Sequence, residues 1–151
     1  MKRLLSIVAV LLLTLVFSTA ACAIDWKTAN QFTVAWENDP GNIAYEGERY
    51  KSRLFLVNFK TDPGKANPVV IGMADVDVTE FTFSLADRGS YIVGIEVVAE
   101  ILQEDGVTWQ EVSQSERCWS DMVSCTDGGV TFGVRFFPKP KVIKNLRPLE
   151  N

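Results

Sequence analysis

The 151-residue sequence contains no histidine. Histidine is the side chain that most often acts as a catalytic base near neutral pH and most often binds metal ions. Its absence excludes serine–histidine and cysteine–histidine nucleophile pairs. Glycine-rich phosphate loops are also missing, and nothing predicts that paired carboxylates such as Glu100 and Glu104 share a cleft. Catalysis therefore finds little support in the sequence, and we expect no cofactor.

A basic surface is also lacking, because the chain has 15 basic and 19 acidic residues. Removal of residues 1–23, which we predict below, takes away Lys2 and Arg3. The remaining 13 basic and 19 acidic residues carry a net charge of −6. Nucleic-acid binding relies on basic patches, so we expect no nucleic-acid partner.

The N-terminus has the pattern of a secretory signal peptide over residues 1–23. Lys2 and Arg3 precede an apolar run at residues 4–17, and the small-x-small triplet at residues 21–23 fits a cleavage site. The run is near the lower limit of about 17 residues for spanning a membrane, and no basic stop-transfer cluster follows it. The pattern predicts export to the periplasm or the exterior of a bacterial cell.

Two alternatives remain for this segment. The apolar run could stay as a membrane anchor. Cys22 could be the lipidated residue of a bacterial lipoprotein, although Thr19 stands where such signals typically have leucine. A membrane association through lipid therefore depends on Cys22.

Only three cysteines are present, and removing or lipidating Cys22 leaves Cys118 and Cys125. An even pair in an oxidising compartment predicts a disulfide. On one straight strand the two would lie roughly 23 Å apart, whereas a disulfide needs Cα atoms within about 7 Å. The chain must therefore fold back, and residues 119–121 are the expected turn. The alternatives are a bond to a partner chain or two free thiols.

Apolar and polar residues alternate with the period of β-strands in most of the remaining chain. No helical period is convincing after residue 23. We expect residues 45–50 to form a loop and residues 53–60 to form a central strand. Further alternation places apolar side chains on one face of each of four segments: Phe32, Val34 and Trp36; Phe81, Phe83 and Leu85; Tyr91, Val93, Ile95, Val97 and Ala99; Phe132, Val134 and Phe136.

These patterns predict an all-β fold, an immunoglobulin-like sandwich of two sheets with about seven strands, preceded by the signal-peptide helix. We assign residues 24–137 to the sandwich. Residues 138–151 have the proline- and lysine-rich composition of a tail. We expect this tail to be loose, with docking on a bare edge of the sandwich as the alternative.

The chain resembles a fibronectin type III domain over residues 28–123. Trp36 ends a Thr-Val-Ala-Trp strand pattern, and Leu85 and Tyr91 have the spacing of a tyrosine corner, whose hydroxyl bonds back to the corner backbone. The tripeptide at residues 119–121, Trp-Ser-Asp, is similar to the Trp-Ser element near the last strand of many such domains. The resemblance implies that Trp36, Leu85 and Tyr91 are core residues.

The sequence departs from this family in three places. Gly89 sits one place later than the usual corner glycine. The first strand is nearly absent, so we expect Trp26 to act as a staple in its place. The last strand is interrupted at residues 125–129, and residues 127–129 reset the register so that residues 130–137 pair with the strand of Tyr91.

Trp109 is the best candidate for a contact residue. It lies between the last two main strands, where an exposed tryptophan can stack on a sugar ring or anchor a protein interface. The alternative is that the ring folds back over the sheet.

Acidic residues near the middle of the chain offer a weaker candidate for a calcium site, formed by Asp75, Asp77 and Glu80. No glycine-containing ligand loop accompanies them, and aspartates on the wet face of an edge strand also discourage edge-to-edge pairing. We therefore predict no metal. The tripeptide at residues 87–89, Asp-Arg-Gly, has the wrong order for an integrin-binding Arg-Gly-Asp sequence. It also belongs to the segment that we expect to form the tyrosine corner.

The resemblance implies a non-catalytic binding or spacer module that contacts an unknown protein or glycan through its loops. A lipoprotein carrying the same module is the first alternative. A small secreted hydrolase or inhibitor is the second.

Overall fold

The computed structural model describes residues 23–138, and its regular structure is almost entirely β. Two 3-10 turns, Val123–Cys125 and Asp127–Gly129, separate the last two strands. Within the described residues no helix has the length and hydrophobicity needed to cross a membrane. The prediction of an all-β fold is confirmed. The nine strands are β1 (Asp25–Thr28), β2 (Gln31–Ala35), β3 (Glu48–Asn58), β4 (Val69–Asp75), β5 (Glu80–Ser84), β6 (Gly89–Leu102), β7 (Trp109–Gln114), β8 (Cys118–Trp119) and β9 (Phe132–Phe136).

Three predictions concern residues that the structure does not describe. The predicted signal peptide, residues 1–23, lies outside the described residues except for Ala23. Lipidation at Cys22 and the tail from residue 139 onward also lie outside the described residues.

The strands form two sheets. The larger has the order β1-β9-β6-β3-β4, and β7 and β8 also pair with β6. The smaller consists of β2 and β5, which are antiparallel. Strands β3 and β6 form the centre of the larger sheet through eleven paired positions, from Glu48 opposite Ile101 to Asn58 opposite Tyr91. Strand β3 therefore begins within the segment predicted as a loop, because its first residues pair with the far end of β6.

The main core lies between the sheets. Alternation along β3 and β6 directs Leu54 and Val93 to the inner face, where they meet Val34 and Phe83 of the smaller sheet. The two sheets are aligned by aromatic contacts at both sides. Phe81 of β5 lies against Gly72 of β4, and Phe32 of β2 lies 6.1 Å from Phe132 of β9, measured between ring centroids. Strand β5 therefore covers the β4 side of the larger sheet, and β2 covers the β9 side.

The first strand is present, which corrects the expectation that it is nearly absent. Strand β1 runs parallel to β9, with Trp26 opposite Gly133. The indole lies so close to this glycine that a Cβ there would stand 2.5 Å from it. Trp26 is thus part of the strand and does not replace it. Because β1 belongs to the larger sheet, it does not extend the smaller sheet beyond β2.

The last strand is broken into three pieces, which explains why nine strands appear where about seven are predicted. Strands β7, β8 and β9 pair in succession with one edge of β6, at Val98–Leu102, Gly94–Ile95 and Gly89–Tyr91. The predicted pairing of the segment after residue 129 with the strand of Tyr91 is confirmed, with Val134 opposite Tyr91.

Candidate functional site

The segment between β8 and β9 is closed by a disulfide between Cys118 and Cys125, whose Cα atoms are 5.4 Å apart. The chain reverses at Ser120 and Asp121, and the N–H of Met122 donates to the carbonyl of Trp119. This is the fold-back that the cysteine spacing requires. The left-handed conformation of Gly128 then redirects the chain into β9.

Between β8 and β9 the strand pairing with β6 is interrupted, and Ser120 supplies the hydrogen bonds there. Its N–H donates to the carbonyl of Val93 at 2.9 Å. Its hydroxyl donates to the carbonyl of Phe132 at 2.8 Å and accepts a bond from the N–H of Val93 at 3.2 Å. A buried serine thus joins β6 to β9 at the point where the strand is interrupted, which keeps buried backbone groups satisfied.

Leu85 and Tyr91 of the predicted tyrosine corner both belong to the packing of the main core. Leu85 is buried, and the half-buried ring of Tyr91 packs on the main core. The Tyr91 hydroxyl donates to the carbonyl of Asp87 at 2.9 Å. Burial, and after it the negative charge of Asp87, raises the pKa of Tyr91 above its ordinary value of 10.0.

Trp36 follows the end of β2 and is half-buried against the main core. Its indole Nε1 donates to the side-chain oxygen of Asn38 at 3.1 Å, and the amide of Asn38 donates to the carbonyl of Val76. Ser52 of β3 also donates to the Asn38 oxygen, at 3.4 Å. Asn38 therefore ties the end of β2 to β3 and to the turn after β4.

The outer face of the larger sheet carries a network of ions around a carboxylate that is only 2% exposed, that of Glu96. Arg53 donates to it at 2.7 Å and Arg117 at 3.0 Å. Arg53 also makes a two-pronged bond to Glu111, at 2.9 and 3.0 Å. The bonds with Glu111 raise the pKa of Arg53; burial opposes the rise, and the bonds and charge of Glu96 add to it. A buried carboxylate with two arginine partners is a structural feature that no sequence pattern indicated.

Aromatic rings and cations alternate on this same face. Arg117 lies 3.7 Å from the ring centroid of Phe55, and Lys65 lies 5.3 Å from that of Trp119. Arg135 covers Trp26 at 4.5 Å. Such contacts stabilise by about 0.5–1 kcal/mol at exposed sites. They cover a second apolar cluster built on Phe55, Val57, Ile92 and Trp119.

Trp109 lies in strand β7, opposite Leu102, and not in an exposed loop as the sequence suggests. It is half-buried, and the guanidinium of Arg49 covers its ring at 4.1 Å from the centroid. Arg49 is held in turn by Glu100 at 2.5 Å. The ring thus lies on the sheet. Glu100 is bonded to Arg49 and not arranged as a carboxylate pair with Glu104.

The three residues considered for calcium lie along the β4 edge and the turn after it. Asp75 ends β4 and forms an ion pair with Lys51 at 3.7 Å, and Asp77 and Glu80 are exposed. Within residues 23–138 no three histidine, cysteine or acidic side chains form a group that could hold a metal ion.

An open groove of about 1110 Å³ runs between the two sheets on the side of β7 and β8. Its floor consists of inner-face side chains of β6, among them Ile95, Val97 and Ala99. Trp36 borders it from the smaller sheet, and residues 113–116 border it from the larger one. The disulfide loop closes one end through residues 124–127. An apolar floor with a polar rim is the ordinary composition of a binding site.

The rim of the groove is acidic. No lysine or arginine of the described chain lines it, and five exposed carboxylates do, none of which forms a salt bridge within residues 23–138: Glu37, Asp39, Glu80, Glu116 and Asp127. Glu96 is also among the residues that line the groove, but its carboxylate lies on the outer face, where it is bonded to Arg53 and Arg117. The negative net charge of the sequence was the only sequence signal of an acidic surface, and the fold is what brings these five positions to one rim.

No protein-family model, curated protein or solved structure matches the chain. The functional argument therefore depends on the geometry of the groove and of the outer face.

Proposed function

We propose that this chain is an exported, non-catalytic binding module of the fibronectin type III kind. The corner bond between Tyr91 and the Asp87 carbonyl and the two packed sheets support this kind of domain. The N-terminal pattern of the sequence supports export, and a disulfide is compatible with an oxidising compartment.

The observation that carries the binding function is the open groove with its apolar floor and acidic rim. The position of Trp109 weakens the proposal that this residue is the main contact, because Arg49 covers its ring. We therefore place the principal contact surface in the groove, with the outer face as scaffold.

The test compares two variants that add the same bulky side chain to exposed positions of β7. Ser113→Trp fills the groove, which Ser113 lines, whereas Gln110→Trp adds the ring at a position that does not line it. Each purified protein is immobilised and exposed to an envelope extract of the source cell. We expect a protein that the wild type and Gln110→Trp retain and Ser113→Trp does not. Identical retention by all three would reject the groove as the contact surface.

The lipoprotein alternative presents the same module on a membrane and depends on Cys22. The intact mass of the protein isolated from envelopes distinguishes the two. A chain that begins at Ile24 without added mass supports simple export, and a chain that begins at Cys22 with acyl mass supports the anchored form.

A further inference from the structure

We propose that the groove binds a basic, extended segment of a partner protein, which adds as a strand to the free edge of β2. This inference rests on the proposed binding function and specifies the chemistry of the partner. It draws on the hydrogen-bonding register of β2, the floor of the groove and the charge of its rim.

The register of the smaller sheet leaves one row of backbone groups unpaired. The N–H of Leu85 donates to the carbonyl of Asn30, and the N–H of Trp36 donates to the carbonyl of Thr79. Because bonded and non-bonded positions alternate in an antiparallel pair, the even-numbered residues of β2 bond to β5. The odd-numbered residues point their N–H and C=O groups away from β5, and no described residue bonds to these groups: Gln31, Thr33 and Ala35.

This unpaired edge faces the side on which the groove lies. Strand β5 lies over β4 and β2 lies over β9, as the contacts of Phe81 with Gly72 and of Phe32 with Phe132 show. The free edge of β2 therefore points toward β7, β8 and β9. Strand β1 could have covered it, but it pairs with β9 in the other sheet. Ala35 and its neighbours also line the groove.

A strand added to this edge would pair the free backbone groups of β2 and would also cover the apolar side chains of the groove floor. Its main chain would bond to the odd-numbered residues of β2, which is the usual mode of strand addition. Alternate side chains would then face Ile95, Val97 and Ala99, so those positions should be apolar. The side chains between them would face the carboxylates of the rim, and basic residues there give charge complementarity.

Charge and geometry favour a partner protein over two other occupants. A second copy that paired edge to edge would bring the same carboxylates against each other, because a two-fold interface juxtaposes identical surfaces. The chain's own residues 139–151 are basic. However, β9 ends with Phe136 opposite Gly89 and runs away from the floor residues Val97 and Ala99, so this segment would have to reverse its direction to reach the groove.

The test uses a fluorescent peptide of about seven residues, alternating lysine and valine, which matches the length of the β2 edge. Its anisotropy is titrated with purified protein. The charge-reversed control alternates glutamate and valine. A second control carries N-methyl groups on every peptide bond, which keeps the charge but removes the N–H groups that strand pairing needs in either strand direction. We expect the first peptide to bind, both controls to fail, and the affinity to fall as salt is added.

Two sets of protein variants test the acidic rim. Glu37→Gln, Glu116→Gln and Asp127→Asn together should weaken binding by about fivefold to thirtyfold, which corresponds to three exposed ion pairs. The matched control neutralises three exposed acids that do not line the groove, through Glu46→Gln, Asp77→Asn and Glu104→Gln. It should stay within about twofold of the wild type.

Backbone amide exchange supplies the readout that distinguishes strand addition from simple charge attraction. Bound peptide should slow exchange at Thr33 and Ala35, whereas Phe32 and Val34 are already protected by β5. Equal binding of the N-methylated peptide, or no added protection, would overturn the inference.

Two further results would overturn it in favour of another occupant. A gain in peptide affinity after Lys141→Gln, Lys144→Gln and Arg147→Gln would assign the groove to the chain's own segment. A dimer that the peptide splits would assign it to a second copy. If Ser113→Trp abolishes capture of a partner but the lysine–valine peptide does not bind, the binding function stands and this inference fails.

Discussion

The indole ring of Trp119 packs directly against Gly94, its partner across β8 and β6. A Cβ at Gly94 would stand 2.6 Å from the Cε3 atom of Trp119, closer than real contacts allow. The packing of the second apolar cluster on the outer face thus requires glycine, which has no side chain, at this position of β6. Trp26 and Gly133 repeat the arrangement between β1 and β9.

Gly94→Ala should therefore lower the free energy of unfolding by about 1–3 kcal/mol, the usual cost of overpacking. Urea denaturation measures the change. Gly64→Ala is the matched control, since nothing lies within 4 Å of a Cβ there, and it should shift stability by no more than about 0.5 kcal/mol. Equal effects at the two positions would show that Trp119 does not pack on the strand.

The tryptophans on the two faces should differ in their contribution to stability. Trp119 is 7% exposed, so Trp119→Ala should cost about 3–5 kcal/mol. Trp36 is only half-buried, so Trp36→Ala should cost less, about 1–3 kcal/mol. Thermal and urea unfolding of both variants test the order. A larger loss for Trp36→Ala would mean that the groove is closed over this residue in solution.

Tyr91→Phe should cost about 1 kcal/mol, because it removes only the bond to the Asp87 carbonyl, and Tyr91→Ala should cost more because the ring packs on the core. Equal losses for the two variants would contradict the corner arrangement.

The raised pKa of Tyr91 also predicts a pH dependence. A raised pKa in the folded state means that folding favours the neutral phenol. This contribution is fully present below pH 10.0, the ordinary pKa of tyrosine, and is lost as pH rises through the folded-state pKa. The stability difference between wild type and Tyr91→Phe should therefore shrink above pH 10. A difference that grows with pH would contradict the direction of the shift.

Reduction of the disulfide should lower the free energy of unfolding by about 2–3 kcal/mol in the chain-entropy model. The double variant Cys118→Ala, Cys125→Ala should show the same loss and should not respond to reductant. Non-reducing peptide mapping checks the pairing itself. Free thiols, or a dimer that reductant splits, would contradict the intrachain bond and the loop that closes one end of the groove.

The features that the sequence predicts are those with short-range causes. The alternation of β2, β5 and β6 follows from their own side chains, and the fold-back between Cys118 and Cys125 follows from the reach of the chain. The corner at Tyr91 requires only a local spacing. These elements appear in the structure near their predicted positions.

The features that escape prediction depend on distant partners. Strand β1 joins β9 because Gly133 leaves room for Trp26 across more than a hundred residues. Trp109 appears exposed in the sequence because its covering side chain, Arg49, lies on another strand. The groove exists because β1 lies in one sheet and β2 in the other, which no local pattern specifies.

The central claim is that the side of the sandwich is open along β2, and amide hydrogen exchange of the unliganded protein tests it most directly. We predict slow exchange at Phe32 and Val34, whose amides bond to β5, and fast exchange at Thr33 and Ala35, whose amides point away from β5. Protection of all four amides would contradict the claim, because it would mean that another strand already covers this edge.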